Sequence, residues 1–363
     1  MFGVVLVAML VMGCIGVGPT EEKETVLRPN QGVGVVPGGV YVLDSKVKPG
    51  AITSVVVKVR NNLEGQPANN IVVTLDNVAP LRILCRGGSG AVEEFFDNFP
   101  NYKEGYEACG RDYSLDLDSN LKLNQHGVVK LDPGEEVEFI WPIRTPDRAV
   151  LAGMKYEHTL YYTIDYDYKL KAQESIVYLS NQEYLRLKQE NKTLNYPSTF
   201  RQTAGEFKLY PQTVNPFLYY PSQGIAQVAS INYNIENNGD GFIPPDSKLV
   251  IVLQYPKEME PDETYSEKRW IKGTDLDNER IKSILKHFPD INLNRILYKE
   301  LDPSFLRKGF RYPISAPLTL TQDELNSLIE NSIPSKTYNI QVYVFYKYRF
   351  EKSSKITIYP VEI

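Results

Sequence analysis

Histidine, cysteine and tryptophan are scarce in this chain of 363 residues, and positive charge is not in excess. There are 3 His, 3 Cys and 2 Trp, and 40 Lys and Arg against 45 Asp and Glu give a net charge of −5. His126, His158 and His287 lie in unrelated segments and share no metal-ligand spacing. The chain has no nucleophile elbow, zinc-protease motif or phosphate-binding loop. The familiar catalytic motifs are therefore missing, and the acidic balance argues against non-specific binding to nucleic acid.

Tyrosine and proline are abundant, with 25 Tyr against 14 Phe, and 24 Pro. Tyrosine at this density favours a sheet with one wet face, where the ring packs and the hydroxyl reaches water. Hydrophobic residues make up 42% of the chain and charged residues 23%, which is typical of soluble globular proteins. The length predicts two domains, with three as the alternative.

The N-terminus predicts export to the outside of a membrane. Residues 1–18 carry no charged side chain, and an apolar run from Val4 to Met12 precedes Gly13-Cys14. This arrangement resembles the lipobox of secreted lipoproteins, which implies cleavage before Cys14 and lipid attachment to its thiol. We expect residues 1–13 to be a signal peptide or an anchor, and residues 14–33 to be a flexible tether. Because no Lys or Arg precedes the apolar run, two alternatives stay open: an uncleaved helical anchor, or a true start upstream of Met1.

The remaining cysteines support this interpretation. Cys85 and Cys109 form an even pair, suited to one disulfide in an oxidising exterior, although two unpaired buried thiols remain the alternative. Asn191-Lys192-Thr193 is a glycosylation sequon, which has meaning only outside the cell. We therefore expect a Cys85–Cys109 bridge and a glycan on Asn191.

The body of the chain is predicted to be a duplication of one strand-rich unit. Residues 231–241 match residues 55–65 without a gap, each an alternating strand that ends in Asn-Asn and Gly. Residues 346–350 match residues 166–170 in the same way, at a spacing of 180 residues. Short strands with frequent turns and no helical period predict a mainly β fold, with two tandem immunoglobulin-like β-sandwich domains and short decorating helices.

The predicted boundaries follow from this repeat. Residues 34–180 form the first sandwich, which carries a cysteine-tied insertion, and residues 206–363 form the second. Residues 181–205 form a linker, in which the capping box Ser180-Asn-Gln-Glu183 opens a short polar helix. Within the first unit, Leu160–Tyr168 and Ser175–Leu179 are predicted as separate strands.

Two further helices are expected in the second unit. Asp277 is predicted to cap a helix whose apolar stripe has helical spacing: Ile281, Ile284, Leu285 and Phe288. Thr321-Gln-Asp-Glu324 is a capping box ahead of the stripe Leu325, Leu328 and Ile329. We expect both stripes to pack against the protein's own sheet, with a partner protein as the alternative.

A long insertion between Cys85 and His126 is the predicted site of specific function. Its aromatic residues offer either a contact surface or a cover for the open end of the sandwich: Phe95, Phe96, Phe99, Tyr102 and Tyr106. It also contains the start of a calcium loop at Asp116, Asp118 and Asn120, which lacks the glycine and the closing glutamate of an EF-hand. A solvated acidic loop is the alternative there.

Four features together carry a family resemblance: Lys48-Pro49-Gly50 before a strand, Asn61-Asn62 at its end, the turn from Asp132 to Glu135, and a closing tyrosine-rich strand. The pattern resembles the CARDB-like, immunoglobulin-type repeats of archaeal surface lipoproteins. The resemblance implies extracellular spacing, adhesion or assembly, and it supplies no catalytic residues.

The sequence therefore predicts a membrane-anchored extracellular protein that acts in structure, adhesion or interaction and has no catalytic activity. The alternatives are a ligand-binding accessory subunit of a membrane transport or secretion complex, a subunit of a surface filament or lattice, and a glycan-active enzyme. The expected partners are membrane lipid at the N-terminus and other surface proteins or glycans, with self-association left open and nucleic acid excluded. No cofactor is expected, and calcium in the acidic loop is the one alternative.

Overall fold

The computed structural model describes residues 34–63, 66–84, 125–146, 155–192, 196, 199–286 and 288–360. In these ranges the helices are α1 (Asn181–Gln189), α2 (Glu279–Lys286) and α3 (Gln322–Glu330). The strands are β1 (Val35–Val42), β2 (Lys46–Val47), β3 (Ile52–Asn61), β4 (Ala68–Asp76), β5 (Arg82–Ile83), β6 (Gln125–Leu131), β7 (Glu136–Arg144), β8 (Tyr156–Ser180), β9 (Phe200–Gln202), β10 (Phe207–Pro211), β11 (Phe217–Tyr220), β12 (Ile225–Ala226), β13 (Ala229–Asn237), β14 (Leu249–Gln254), β15 (Met259–Pro261), β16 (Ile271–Lys272), β17 (Ile296–Leu301), β18 (Arg311–Leu320) and β19 (Ser335–Pro360).

The predicted mainly β sandwich fold is confirmed. The first outer sheet has the order β1-β3-β7-β5, and the second outer sheet has the order β10-β13-β18-β15. A large central sheet runs β12-β11-β8-β19-β14-β17-β16, and β4 and β6 extend it from the first half of β8. One hydrophobic cluster joins inward-facing residues of all three sheets, among them the fully buried Val57, Ile164 and Ile235. Burial of these alternating apolar faces is the main driving force for the sandwich.

The two predicted repeats have equivalent strands. In the first repeat, β3 lies between β1 and β7, and β4 lies between β6 and β8. In the second, β13 lies between β10 and β18, and β14 lies between β17 and β19. Strand β3 contains the first half of one predicted match and β13 the first half of its counterpart.

The two repeats also share a turn that is held by a buried asparagine. The backbone carbonyl of Asn61 accepts from the amide of Gly134 at 2.8 Å, and that of Asn237 accepts from Gly309 at 3.3 Å. Both glycines have φ near +79°, a conformation that favours glycine. In the first repeat the connection is the predicted Asp132–Glu135 turn. In the second it is longer and contains the 3₁₀ turn Pro303–Phe305.

The closing strands of the two repeats pair with each other. Strands β8 and β19 run antiparallel through 24 consecutive pairs, from Tyr156 opposite Ile358 to Leu179 opposite Ser335. The prediction of two short strands in residues 160–179 was wrong, because alternation continues through buried Leu170, Ala172, Glu174 and Ile176 without Gly or Pro to break it. Residues 335–360 are likewise one strand.

This pairing, called here the β8–β19 joint, bears on the domain organisation. The segments predicted as two domains share the central sheet and one hydrophobic cluster, and the described residues fall in one compact unit. The boundaries at residues 180 and 206 stay a prediction. Helix α1 begins where predicted, because the Ser180 hydroxyl accepts from the Glu183 amide at 3.1 Å.

The decorating helices also pack as predicted, with one correction. Helix α2 covers the outer side of the central sheet, where buried Ile281 and Leu285 join Val252 and Phe345 in a second hydrophobic cluster. Its first turn is capped by Asn278, whose side-chain oxygen accepts from the Ile281 amide at 3.4 Å. The expectation for Asp277 was therefore wrong by one residue.

Helix α3 has the predicted cap, since the Thr321 hydroxyl accepts from the amide of Glu324 at 3.3 Å. Leu325 and Leu328 are buried in the main hydrophobic cluster, so this helix packs on the protein's own core. The Glu324 carboxylate turns to Lys336 and Tyr338, at 2.6 Å from each, and thereby ties the helix to β19.

Candidate functional site

Most of the predicted site residues lie outside the described residues: Cys14, Cys85, Cys109, Phe95, Phe96, Phe99, Tyr102, Tyr106, Asp116, Asp118 and Asn120. Lipid attachment, the disulfide, the aromatic contact surface and the calcium loop therefore stay predictions. Asn191 is described and exposed. It follows α1 with φ of 47°, and its amide donates to the Lys188 carbonyl at 3.2 Å. Its glycosylation stays a prediction.

Two general features of the described part of the chain bear on function. Among the residues that the structure describes, no group of three or more His, Cys, Asp or Glu could hold a metal ion. No helix within these ranges combines the length and apolar character needed to cross a membrane.

His126 lies on β6 with its ring edge against the indole of Trp141, at a centroid distance of 4.6 Å. Burial lowers the pKa of His126 to about 4, so the imidazole is neutral at physiological pH. His126 is therefore held as a packed neutral side chain. His158 lies on β8, where Nε2 is 2.6 Å from the Asn77 carbonyl oxygen.

A buried carboxyl group sits at the centre of the β8–β19 joint. Glu206, which precedes β10, is fully buried. Tyr166 of β8 donates a short hydrogen bond to one of its carboxyl oxygens, and Tyr346 of β19 donates to the other at 2.6 Å. The ring of Phe207 packs edge-on against Tyr346 at 4.8 Å. The single carboxyl group therefore connects both repeats.

Burial raises the pKa of Glu206, and the hydrogen bonds from Tyr166 and Tyr346 oppose that rise. Around this group, Tyr348 donates to the side-chain oxygen of Asn237 at 3.0 Å, and Tyr168 donates to the carbonyl of Ala204 at 2.7 Å. The polar atoms of the cluster are thus engaged with one another. We assign this cluster to holding the repeats together.

A second site lies at one edge of the second repeat and is open to solvent. It is a cavity of about 620 Å³, lined by residues of β13 and β18 in the second outer sheet, by the segment that joins β15 to β16, and by Lys299 of β17. We call it the basic pocket and define it by six of its lining residues: Asn232, Asn234, Lys268, Arg269, Lys299 and Tyr312. Its volume lies in the range of about 300–1,000 Å³ that is typical of small-molecule sites.

The local sequence explains how the pocket forms. After β15 on the outer sheet, Asp262 caps the 3₁₀ turn Glu263–Tyr265, and the chain then crosses to β16 on the central sheet. The crossing is anchored by buried Trp270, whose indole N–H donates to the Ser315 carbonyl at 2.7 Å. Lys299 of β17 donates to the Lys268 carbonyl at 3.1 Å from the other side. These two contacts fix the wall that carries Lys268 and Arg269.

Arg269 occupies a backbone position that glycine normally takes. Its φ is +59°, its amide donates to the Ser266 carbonyl at 2.9 Å, and the Trp270 amide donates to the Tyr265 carbonyl at 3.1 Å. This is the hydrogen-bond pattern of a Schellman motif, in which the left-handed residue is usually Gly. A bulky side chain in this region carries a backbone cost that glycine would avoid.

The pocket is positively charged on a chain that is negative overall. Lys268, Arg269 and Lys299 face one carboxylate among the described lining residues, that of Glu267. None of the three cations forms an ion pair with a described residue. Burial, followed by the nearby charges of Arg269 and Lys268, lowers the pKa of Lys299. These are the effects expected where like charges meet without a counter-ion.

The basic pocket could not be predicted from the sequence. Lys268 and Arg269 precede Trp270, but a basic pair beside an aromatic is an unspecific signal, and Lys299 comes from another strand. Nor was Glu206 identified, because an isolated glutamate before a short strand gives no sign of complete burial. The positive φ of Arg269 is equally invisible in the sequence, since nothing in it marks the position for glycine.

Comparison with known proteins gives no family. No family model matches the chain. No curated protein matches it either. Several solved structures resemble it at low identity.

Alpha-2-macroglobulin from Escherichia coli, from domain MG7 to the C-terminus, is 11% identical with a TM-score of 0.20; the match covers 66% of this chain and 26% of that one. The Enterococcus faecalis MSCRAMM ACE is 7% identical with a TM-score of 0.19, and the match covers 90% and 96% of the two chains. The collagen adhesin of S. aureus is 10% identical with a TM-score of 0.13, covering 92% and 94%. Scores this low carry no inference about ligand or partner.

Proposed function

We propose that this chain is a non-catalytic interaction protein on the outer face of a membrane, where its N-terminal segment anchors it. The lipobox-like sequence at Cys14 and the pair Cys85 and Cys109 support an extracellular location. The resemblance to CARDB-like surface repeats agrees with this role. In this proposal the two repeats present binding surfaces away from the lipid, and residues 14–33 act as the tether.

The observation that carries the proposal is the β8–β19 joint. Two repeats that pair through 24 consecutive residues cannot hinge at that seam without breaking a continuous ladder of backbone hydrogen bonds. The buried acid at the seam, Glu206, is engaged by two tyrosines and has no exposed atoms. Rigidity of this kind suits the presentation of a surface, whereas catalysis needs an acid or base within reach of a substrate.

One observation favours the ligand-binding accessory subunit as a second candidate. The basic pocket is a preformed cavity with convergent polar groups, which is the usual form of a small-ligand site. A subunit that captures a ligand for a transport or secretion complex would need such a cavity. Adhesion would not require it.

The proposal is tested by determining where the mature chain begins and on which side of the membrane it lies. Protein is extracted with detergent from the membrane of its native cell, and its intact mass is measured. We expect a chain that begins at Cys14 with added lipid mass, and loss of the chain from intact cells after external protease treatment. Cys14→Ser is expected to abolish the lipid mass.

The proposal fails if the chain is protected from external protease in intact cells and is released only when the cells are lysed. A full-length chain that begins at Met1, remains accessible from outside and stays in the membrane fraction would support the helical anchor in place of the lipid. Hydrolysis of a glycan panel by the purified protein would overturn the non-catalytic assignment.

A further inference from the structure

We propose that the basic pocket binds an acidic saccharide, with its cations holding a carboxylate or sulfate group and its amides and Tyr312 holding the sugar ring. The inference rests on the proposed function, because it names a ligand for a protein whose role is binding. It concerns the second repeat alone and uses only described residues.

Charge is the first argument. Lys268 and Arg269 come from the crossing segment and Lys299 from β17, so two separate elements bring three cations to one cavity. Some cations in the described residues, such as Arg349 and Lys336, are paired with carboxylates at 2.6 Å. Lys268, Arg269 and Lys299 have no such partner. An anion in the cavity would neutralise this cluster and would find preorganised donors.

The backbone of Arg269 is the second argument. Glycine at this position would complete the same turn without the cost of a left-handed side-chain residue. The chain instead places a guanidinium there, on a wall fixed by Trp270 and Lys299. Residues in unfavourable backbone regions tend to lie at binding and active sites, where the strain is kept for the sake of the side chain.

The other residues that line the pocket favour a saccharide over a simple anion as its ligand. Asn234 and Tyr312 both line the pocket, Asn234 from the outer face of the second outer sheet and Tyr312 from the face that also carries Ile235. Neither forms a side-chain hydrogen bond with another described residue. The ring of Tyr312 packs on Phe305 at a centroid distance of 5.4 Å, which limits its rotation. Amide groups suit sugar hydroxyls and an aromatic face suits the C–H face of a sugar ring. A cavity of about 620 Å³ is larger than an inorganic anion needs.

The test uses the full-length protein, extracted in detergent and applied to an array of uronate-, sialate- and sulfate-bearing oligosaccharides beside their neutral parents. We expect binding to at least one acidic member and none to its neutral parent, with affinity that falls as NaCl is raised. Arg269→Gln and Lys299→Gln are each expected to weaken binding by roughly tenfold or more. The control Arg60→Gln removes an exposed cation from β3 of the first repeat and should leave binding unchanged.

A further variant separates binding from folding. Arg269→Gly relieves the backbone and is expected to raise the melting temperature while it weakens binding to the same extent as Arg269→Gln. The proposal is overturned if no acidic saccharide binds, if a neutral parent binds equally well, if inorganic phosphate competes as effectively as the saccharide, or if the variants bind as the wild type does. These results leave the location test at Cys14 untouched, so failure of the pocket and failure of the proposed function are distinguishable.

Discussion

Replacement of Glu206 is the sharpest test of how the two repeats are joined. Glu206→Leu fills the site with a side chain of similar size but removes the acceptor for Tyr166 and Tyr346, whose side chains are 1% and 3% exposed. The Tyr166 hydroxyl still accepts from the Val35 amide at 3.3 Å, but the O–H of each tyrosine is left without an acceptor. A buried donor without an acceptor costs about 1–3 kcal/mol. Loss of the acceptor for both tyrosine hydroxyls should therefore lower the free energy of unfolding by about 2–6 kcal/mol.

Glu206→Gln is the matched control. It keeps one acceptor oxygen and adds an amide donor that a tyrosine oxygen can accept, so we expect less than half of the loss seen with leucine. It also removes a proton-binding group. Because burial raises the pKa of Glu206, the folded protein holds this proton at a pH where the unfolded chain has released it. The contribution of this group to the free energy of unfolding therefore falls as the pH rises from the unfolded pKa of 4.5 through the folded pKa. Glu206→Gln should not show this decrease.

The assay is urea unfolding at pH 4.5 and pH 7, followed by circular dichroism, for the wild type and both variants. We expect the wild type to lose more stability than Glu206→Gln between the two pH values. If Glu206→Leu destabilises by less than about 1 kcal/mol, the hydrogen bonds to Tyr166 and Tyr346 do not hold the joint. If glutamine costs as much as leucine, the effect comes from packing and the argument from hydrogen bonds is refuted.

Three further predictions test other parts of the structure. Protease cleavage between residues 190 and 200 should leave two fragments that co-elute on size exclusion in native buffer, because β8 and β19 stay paired; separate elution would show two independent domains. When the pH is lowered from 6.5 to 4, the free energy of unfolding should fall by up to about 3 kcal/mol more in the wild type than in His126→Gln, because the unfolded imidazole binds a proton that the folded one cannot. Equal losses in urea titrations would contradict this. Gly239→Ala should cost about 1–3 kcal/mol, because its Cβ would collide with the Tyr348 hydroxyl, whereas an unchanged melting temperature would mean that this contact relaxes freely.

Local signals in the sequence located several strands and the starts of helices α1 and α3 correctly. The hydroxyl caps at Ser180 and Thr321 are reproduced because a cap depends only on residues three positions apart. The reciprocal half of each capping box is not formed, since the amides of Ser180 and Thr321 donate to the carbonyls of Pro334 and Glu258. The matches between residues 55–65 and 231–241 mark equivalent strand ends in the two repeats. Asp277 was wrong by one residue because Asn278 can cap equally well, and the sequence does not choose between neighbours.

What joins the repeats could not be predicted in this way. Alternation shows that a segment is a strand and which residues share a face, but it does not say which strand lies beside it. The tyrosines at 166 and 346 were recognised as equivalent, yet nothing in their spacing showed that β8 would pair with β19. The basic pocket has the same origin, since Lys268 and Lys299 meet only after β16 pairs with β17.

The register of the joint shows that its centre could not be formed by two identical repeats. Tyr166 and Tyr346 occupy equivalent positions in the two repeats, 180 residues apart, and so do Tyr168 and Tyr348. In the antiparallel pairing, Tyr166 lies opposite Tyr348 and Tyr168 lies opposite Tyr346. This is the arrangement of a two-fold axis that passes between the repeats.

Next to a two-fold axis, equivalent residues of the two repeats lie against each other. If both were glutamates, two buried carboxylates would repel each other there. The amide of Asn238 donates to the Glu206 carbonyl as that of Asn62 donates to the Gly34 carbonyl, so Gly34 is the counterpart of Glu206. A Cβ on Gly34 would collide with the Glu206 carboxyl group and stand 2.8 Å from the Tyr166 hydroxyl. One repeat therefore supplies the acid and the other supplies the space for it. Such a division requires the two repeats to differ in sequence at these positions, with Gly34 in one and Glu206 in the other.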